Sequence, residues 1–214
     1  MNDEKIIALA IEFVKFKLKD DNTGHDWWHT NRVWKMSLLL SKEENANLLI
    51  VQLTSLFHDV EDWKFNKNST ELNVAKDWME ENFIDQNVSC EVLKNINDIS
   101  YKGENVNKKL TTIEAKIVQD ADRLDAIGAI GIARAFATGA TKCRNIFEPE
   151  IPIEKEDIDF TKKDSKSSIH HFYDKLLLLK DQFHTKTANT IAKHRHDFME
   201  KFLLEFLKEW NEEC

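Results

Sequence analysis

Residues 51–65 read VQLTSLFHDVEDWKF, and this stretch changes character halfway along. An apolar run at helical spacing delivers His58 and Asp59 side by side, and Glu61, Asp62 and Lys64 follow within a few positions. Consecutive residues of a helix point about 100° apart. An imidazole and a carboxylate at successive positions therefore converge on one point only where the helix is ending. The expectation is a helix over 47–58 that ends in half of a metal site.

Working outward, five glycines and two prolines in 214 residues leave little turn chemistry for hairpins. Apolar residues recur at three- and four-residue spacing almost throughout, which predicts an all-α fold, one helical bundle over 1–214. Helices are expected over 4–18 and 25–42, the second with Val33, Met36, Leu39 and Leu40 inward. His25, His29 and Arg32 fall at i, i+4 and i+7 of it and make a polar stripe. The bland alternative for each histidine is a surface group or a hydrogen-bonded core imidazole. Two further helices run to about 82 and over 89–100, before a polar loop, YKGENVNKK.

Thr111 with Glu114 matches a capping box, so a long helix should begin at TTIE and continue through AKIVQDADRLDAIGAIGIARAF. Asp122 and Asp125 share one of its faces and repel unless a metal or a buried arginine lies between or opposite them. Residues 148–168 hold both prolines and mostly charged or small residues, and read as a loop or lid before two C-terminal helices, 169–183 and 187–212. His171 and Lys175 stand at i, i+4 on the first of these. His170, His184, His194 and His196 read as structural or surface groups, none aligned with an acidic partner.

Composition narrows the function classes. The formal net charge is −8 and no basic stripe interleaved with aromatics appears, so nucleic acid polymers are poor partners. No apolar run reaches membrane length, and acidic residues stand where a signal peptide would be basic, so the expectation is a cytoplasmic protein. Cys90, Cys143 and Cys214 are far apart and odd in number, as free thiols in a reducing compartment would be.

The chemistry-bearing residues gather as His29, then His58 and Asp59, then Asp122, each on a different helix or helix end. Two imidazole nitrogens and two carboxylates suit Mn²⁺, Fe²⁺, Ni²⁺ or Zn²⁺, with Mg²⁺ if water fills the remaining positions. Four protein ligands on a six-coordinate ion leave room for water and substrate.

The order H…HD…D, with the last Asp inside DADRLDA, resembles the HD-domain superfamily of metal-dependent phosphohydrolases. HDWWHTNRV resembles its first-histidine helix, FHDVEDWKF its HD segment and QDADRLDAIGAIGIARAF its last-aspartate helix, so 25–125 carries the motifs. HHFYDKLLLLKDQF and IAKHRHDFMEKFL are similar to the C-terminal helices of a narrower group of small bacterial HD proteins. For that group a manganese-assisted nucleoside triphosphate pyrophosphohydrolase activity has been proposed.

Carried over by position, the resemblance puts the ligands of one divalent ion, Mn²⁺ foremost, on His29, His58, Asp59 and Asp122. It puts the acidic catalytic residue on Asp62, where those enzymes usually have Glu. HDxED differs from the HDxxED of alarmone hydrolases, which counts against that substrate. Arg32, Lys64, Arg134, His171 and Lys175 are candidate contacts for a small-molecule phosphorylated substrate, a nucleotide foremost. Asp125 would orient an arginine or a ligand. Glu61 and His25 have no assigned role. A nucleotidase acting on monophosphates, a non-catalytic nucleotide sensor and a structural helical adaptor are the other readings.

Overall fold

The structure is a computed structural model, and it describes residues 1–19, 26–60, 73–99, 110–153 and 165–213. His25, Glu61, Asp62, Lys64, Cys214 and the centre of the expected lid lie outside the described residues, as does the loop over 101–109. Among the described residues every regular element is helical, as the sequence pattern implies.

The helices are α1 (Asp3–Lys17), α2 (Trp27–Leu40), α3 (Leu48–Phe57), α4 (Asn73–Glu81) and α5 (Gln86–Ile99). They are followed by α6 (Ile113–Asp125), α7 (Gly128–Thr141), α8 (Ser168–His171) and α9 (Lys186–Trp210). The chain divides into two compact units, Met1–Ala121 and Asp122–Cys214.

In the first unit α3 is the central element, packed against α1, α2 and α5. Asn47 caps it by accepting from the backbone N–H groups of Leu49 and Ile50. From Ile50 to Phe57 all its side chains except Gln52 are buried, as a helix surrounded by others requires. Phe57 packs its ring 5.0 Å from Trp78 of α4 and 6.0 Å from Phe13 of α1, so the end that precedes His58 is held by aromatic contacts from two helices. The Trp34 indole donates to the Gln52 side chain at 3.2 Å and fixes α2 against α3.

Three expectations are corrected here. The helix start near TTIE is capped by Thr112, whose hydroxyl accepts from Ala115 N–H, one residue later than the capping box implied. Glu114 is not turned back onto its own helix; its carboxylate accepts the Asn47 backbone N–H at 2.8 Å, because that donor precedes α3 and has no partner within it. Leu39 is 41% exposed, while His29, Thr30, Val33, Ser37 and Leu40 form the buried face of α2.

The long helix through QDADRLDAIGAIGIARAF is in fact two. Gly128 has φ +77°, a conformation that favours glycine, and the chain turns at Ala126–Ile127 before α7. A Cβ on Gly131 would stand 2.3 Å from the Ala126 carbonyl oxygen, so the tight turn also needs that glycine. In the second unit α7 packs on α8 and α9, around Phe172, Ile169, Met199 and Leu203. After α8 the chain winds as a π-turn over Phe172–Leu176 and a 3-10 turn over Leu177–Asp181, where a regular helix over 169–183 was expected.

Candidate metal centre

His29 and the pair His58–Asp59 come together inside the first unit. His29 lies on the buried face of α2 and is fully enclosed, with Asp26 capping the helix by accepting from the His29 backbone N–H at 2.9 Å. His58 and Asp59 follow the last residue of α3, where the helix relaxes into a turn closed by Val60 N–H to the Phe57 carbonyl. The irregularity that consecutive ligands require is therefore present at that point.

One Asp59 oxygen, Oδ2, lies 3.1 Å from His29 Nε2 and 3.3 Å from His58 Nε2. One ligand atom from each of the three residues lies within 4.8 Å of the others, and the two imidazole rings are 5.5 Å apart. Two donors each about 2.1 Å from a shared ion and at roughly a right angle would be about 3.0 Å apart. The spacing fits a transition-metal-sized ion.

The tautomer of His58 sharpens the fit. Its Nδ1 is 2.7 Å from the Ser55 carbonyl oxygen, an atom that only accepts, so Nδ1 carries the proton. In the neutral ring Nε2 then presents a lone pair to the Asp59 carboxylate. Two lone-pair-bearing atoms at that distance repel unless a cation lies between them or the ring is protonated, and a hydrogen bond of this type is the usual way a protein orients a histidine ligand. The donor set, two imidazoles and a carboxylate, suits a divalent ion of the first transition row.

Arg32 is part-buried, three residues beyond His29 on α2. Asp122, Asp125, Arg134, His171 and Lys175 belong to the second unit. There Arg134 Nη1 donates to Asp125 Oδ2 at 2.8 Å, with Asp125 nearly enclosed. Arg195 of α9, which the sequence reading passed over, also approaches: it donates to the Leu124 carbonyl, and burial lowers its pKa, an effect that the Asp125 charge partly offsets. A Cβ on Gly128 would stand 3.0 Å from Arg195 Cγ, so the glycine is what lets this arginine pass. The signal in the sequence was Gly128 itself, in the middle of an otherwise helical pattern.

His171 and Lys175 do share a neighbourhood. The His171 Nδ1 is 3.2 Å from Ser165 Oγ. Burial above all, and then the positive charges of Arg144, Lys175 and Lys142, push its pKa down to about 4. His170 is structural: its Nε2 donates to the Ile151 carbonyl at 3.1 Å and its Nδ1 pairs with the Ser167 hydroxyl at 2.7 Å. His196 differs from expectation, because Glu200, one turn on, supplies an acidic partner at 3.2 Å.

Comparison with known proteins places this geometry in a family context. No family model matches the chain. It is 34% identical over 200 residues to the uncharacterized protein YpgQ of Bacillus subtilis, spanning 92% of this chain and 90% of the relative. The structure of an HD-superfamily hydrolase from Bacillus thuringiensis is similar at 42% identity and a TM-score of 0.78, over 98% of this chain and 99% of the other. The structure of Bacillus subtilis YpgQ in complex with ADP is similar at 32% identity and a TM-score of 0.79, over 98% of this chain and 97% of that one.

Proposed function

Because the chain belongs to the HD superfamily of hydrolases, we propose that it is a metal-dependent phosphohydrolase acting on a small phosphorylated molecule, namely a nucleoside triphosphate from which it releases pyrophosphate. The observation that carries the reading is the convergence of His29, His58 and Asp59, with the Ser55 carbonyl holding the His58 tautomer a ligand needs. The ADP bound by the Bacillus subtilis relative supports a nucleotide as the substrate class.

His29, His58 and Asp59 would hold one divalent ion, Mn²⁺ in this reading, and Asp122 is assigned as the fourth ligand on the order H…HD…D alone. When bound, such an ion lowers the pKa of a coordinated water towards neutrality and polarises a phosphoryl oxygen. The chain's own residues supply the rest. Asp62 takes up the proton of the attacking water or returns one to the leaving oxygen. Arg32, Lys64, Arg134, His171 and Lys175 contact the phosphates, arginine by a two-pronged grip and lysine as a point charge. Asp125 orients Arg134 by their hydrogen bond. We treat 1–214 as a single HD domain, with 148–168 as a loop or lid before the two C-terminal helices.

The test is metal analysis of the purified protein followed by a nucleotide panel scored separately for phosphate and pyrophosphate. Pyrophosphate from triphosphates is the expected product. Orthophosphate from monophosphates would make the protein a nucleotidase, and metal-dependent nucleotide binding without turnover would make it a sensor.

A further inference from the structure

An open cavity of about 570 Å³ in the second unit is lined by Lys142, Arg144, Ser165 and Lys166. We propose that these four residues form an oxyanion site that takes the terminal phosphates of a di- or triphosphate chain without help from a divalent ion. The choice of phosphate among oxyanions rests on the function proposed above; the cationic cavity does not.

Three cations on one cavity are notable in a chain whose Asp and Glu outnumber its Lys and Arg by 38 to 30. They are held by two backbone segments that are far apart in sequence and fastened to each other. The first follows α7, where Cys143 adopts φ 53° and the Arg144 N–H donates to the Gly139 carbonyl at 2.8 Å. This is a left-handed helix stop, and Lys142 and Arg144 flank it. The second is Ser165–Lys166, immediately before Ser167, which caps α8.

Ser168 N–H donates to the Asn145 carbonyl at 2.9 Å and Ile169 N–H to the Ile146 carbonyl at 3.0 Å, locking the two segments together. Gly139 permits the closeness, since a Cβ there would lie 2.2 Å from Ser168 Oγ. The two segments that carry the cations are thus fixed to each other by backbone bonds, although Lys142 and Lys166 themselves are exposed, so part of the cost of bringing the cations together is met on folding.

The back of the site is polar as well. Ser165 is buried and its hydroxyl meets His171, around which Arg144, Lys175 and Lys142 are gathered closely enough to oppose its protonation. Burial is the main reason this imidazole resists protonation, but the same cations add to the effect, and a site they surround attracts a phosphate. A bound anion would offset their charge and raise the His171 pKa.

The experiment is calorimetric titration of the full chain with inorganic tripolyphosphate at pH 7 in excess chelator. Saturable binding is expected, with Arg144→Gln and Lys166→Gln each weakening it by about tenfold, the loss of one charge-assisted contact. Lys76→Gln, which removes the same charge from α4, should leave affinity unchanged. The imidazole resonances of His171 should titrate at higher pH when tripolyphosphate is bound. Absence of binding in chelator, equal affinity in all three variants, or an unmoved His171 titration would each overturn the proposal.

The metal-site variant His58→Ala separates this proposal from the proposed function. Tripolyphosphate binding that persists in His58→Ala and is weakened in Arg144→Gln supports the anion site even if no nucleotide is hydrolysed. Hydrolysis by the wild type, with Lys166→Gln retaining full tripolyphosphate affinity, rejects the anion site and leaves the hydrolase standing.

Discussion

The His58 imidazole donates from Nδ1 to the Ser55 carbonyl oxygen, 2.7 Å away and one turn earlier in the chain. Ring orientation and tautomer are thereby set by backbone that α3 has already ordered, and Nε2 is left to face Asp59.

His58→Ala should therefore lower divalent-metal affinity by more than the roughly 10–100-fold typical of losing an outer hydrogen-bond partner of a ligand. Competition against a chromogenic chelator measures it. Unchanged affinity would remove His58 from the ion.

Phe57→Ala addresses the support behind that ligand. Phe57 is fully buried against Phe13 and Trp78, so its truncation should cost about 3–5 kcal/mol by urea unfolding. Metal affinity should fall with it, since the end of α3 loses its anchor. A stability change near zero would mean that the aromatic contacts do not hold this helix end.

Asp62→Asn should reduce turnover by about 10²–10⁴-fold, the usual contribution of a positioned acid or base, while metal content stays at the wild-type level. Full activity in that variant would take proton transfer away from Asp62.

His171 makes a pH prediction. Its folded pKa of about 4 lies below the ordinary 6.5, so between those values the unfolded chain binds the proton more readily. The stability this neutral imidazole contributes is complete above about pH 6.5 and is lost as pH falls towards 4. Denaturation midpoints of His171→Gln should be less sensitive to pH across that window. Parallel curves for the two proteins would contradict the assignment.

Gly128→Ala should destabilise by about 1–2 kcal/mol from the left-handed backbone alone, and further because Arg195 must move from a methyl only 3.0 Å away. Thermal unfolding reads the loss. A neutral effect would show that the turn between α6 and α7 relaxes freely.

What was legible in the sequence depended on how local its cause was. The helix ending at His58–Asp59 could be read because its apolar run and its capping Asn47 are contiguous in sequence. The break at Gly128 was hidden because apolar spacing continues across it, and its glycine is explained by the left-handed backbone there and by the clearance needed by Arg195, 67 positions later in sequence. Glu114 looked like a local cap because its partner, Asn47, lies on another element. The cluster of Lys142, Arg144 and Lys166 was missed for the same reason: backbone bonds from Asn145 and Ile146 to Ser168 and Ile169 bring it together, and no spacing rule registers them.

Glu114 holding the Asn47 N–H has a mechanical meaning for the other end of α3. The helix behaves as a short beam, fixed at its start by that carboxylate, at its finish by the Phe13–Phe57–Trp78 rings and at mid-length by the Trp34–Gln52 bond. Sliding, tilting and rolling are each opposed by a different contact. The position of the His58–Asp59 pair is accordingly set by contacts at three points along α3 and does not depend on the neighbouring ligand residues to hold it.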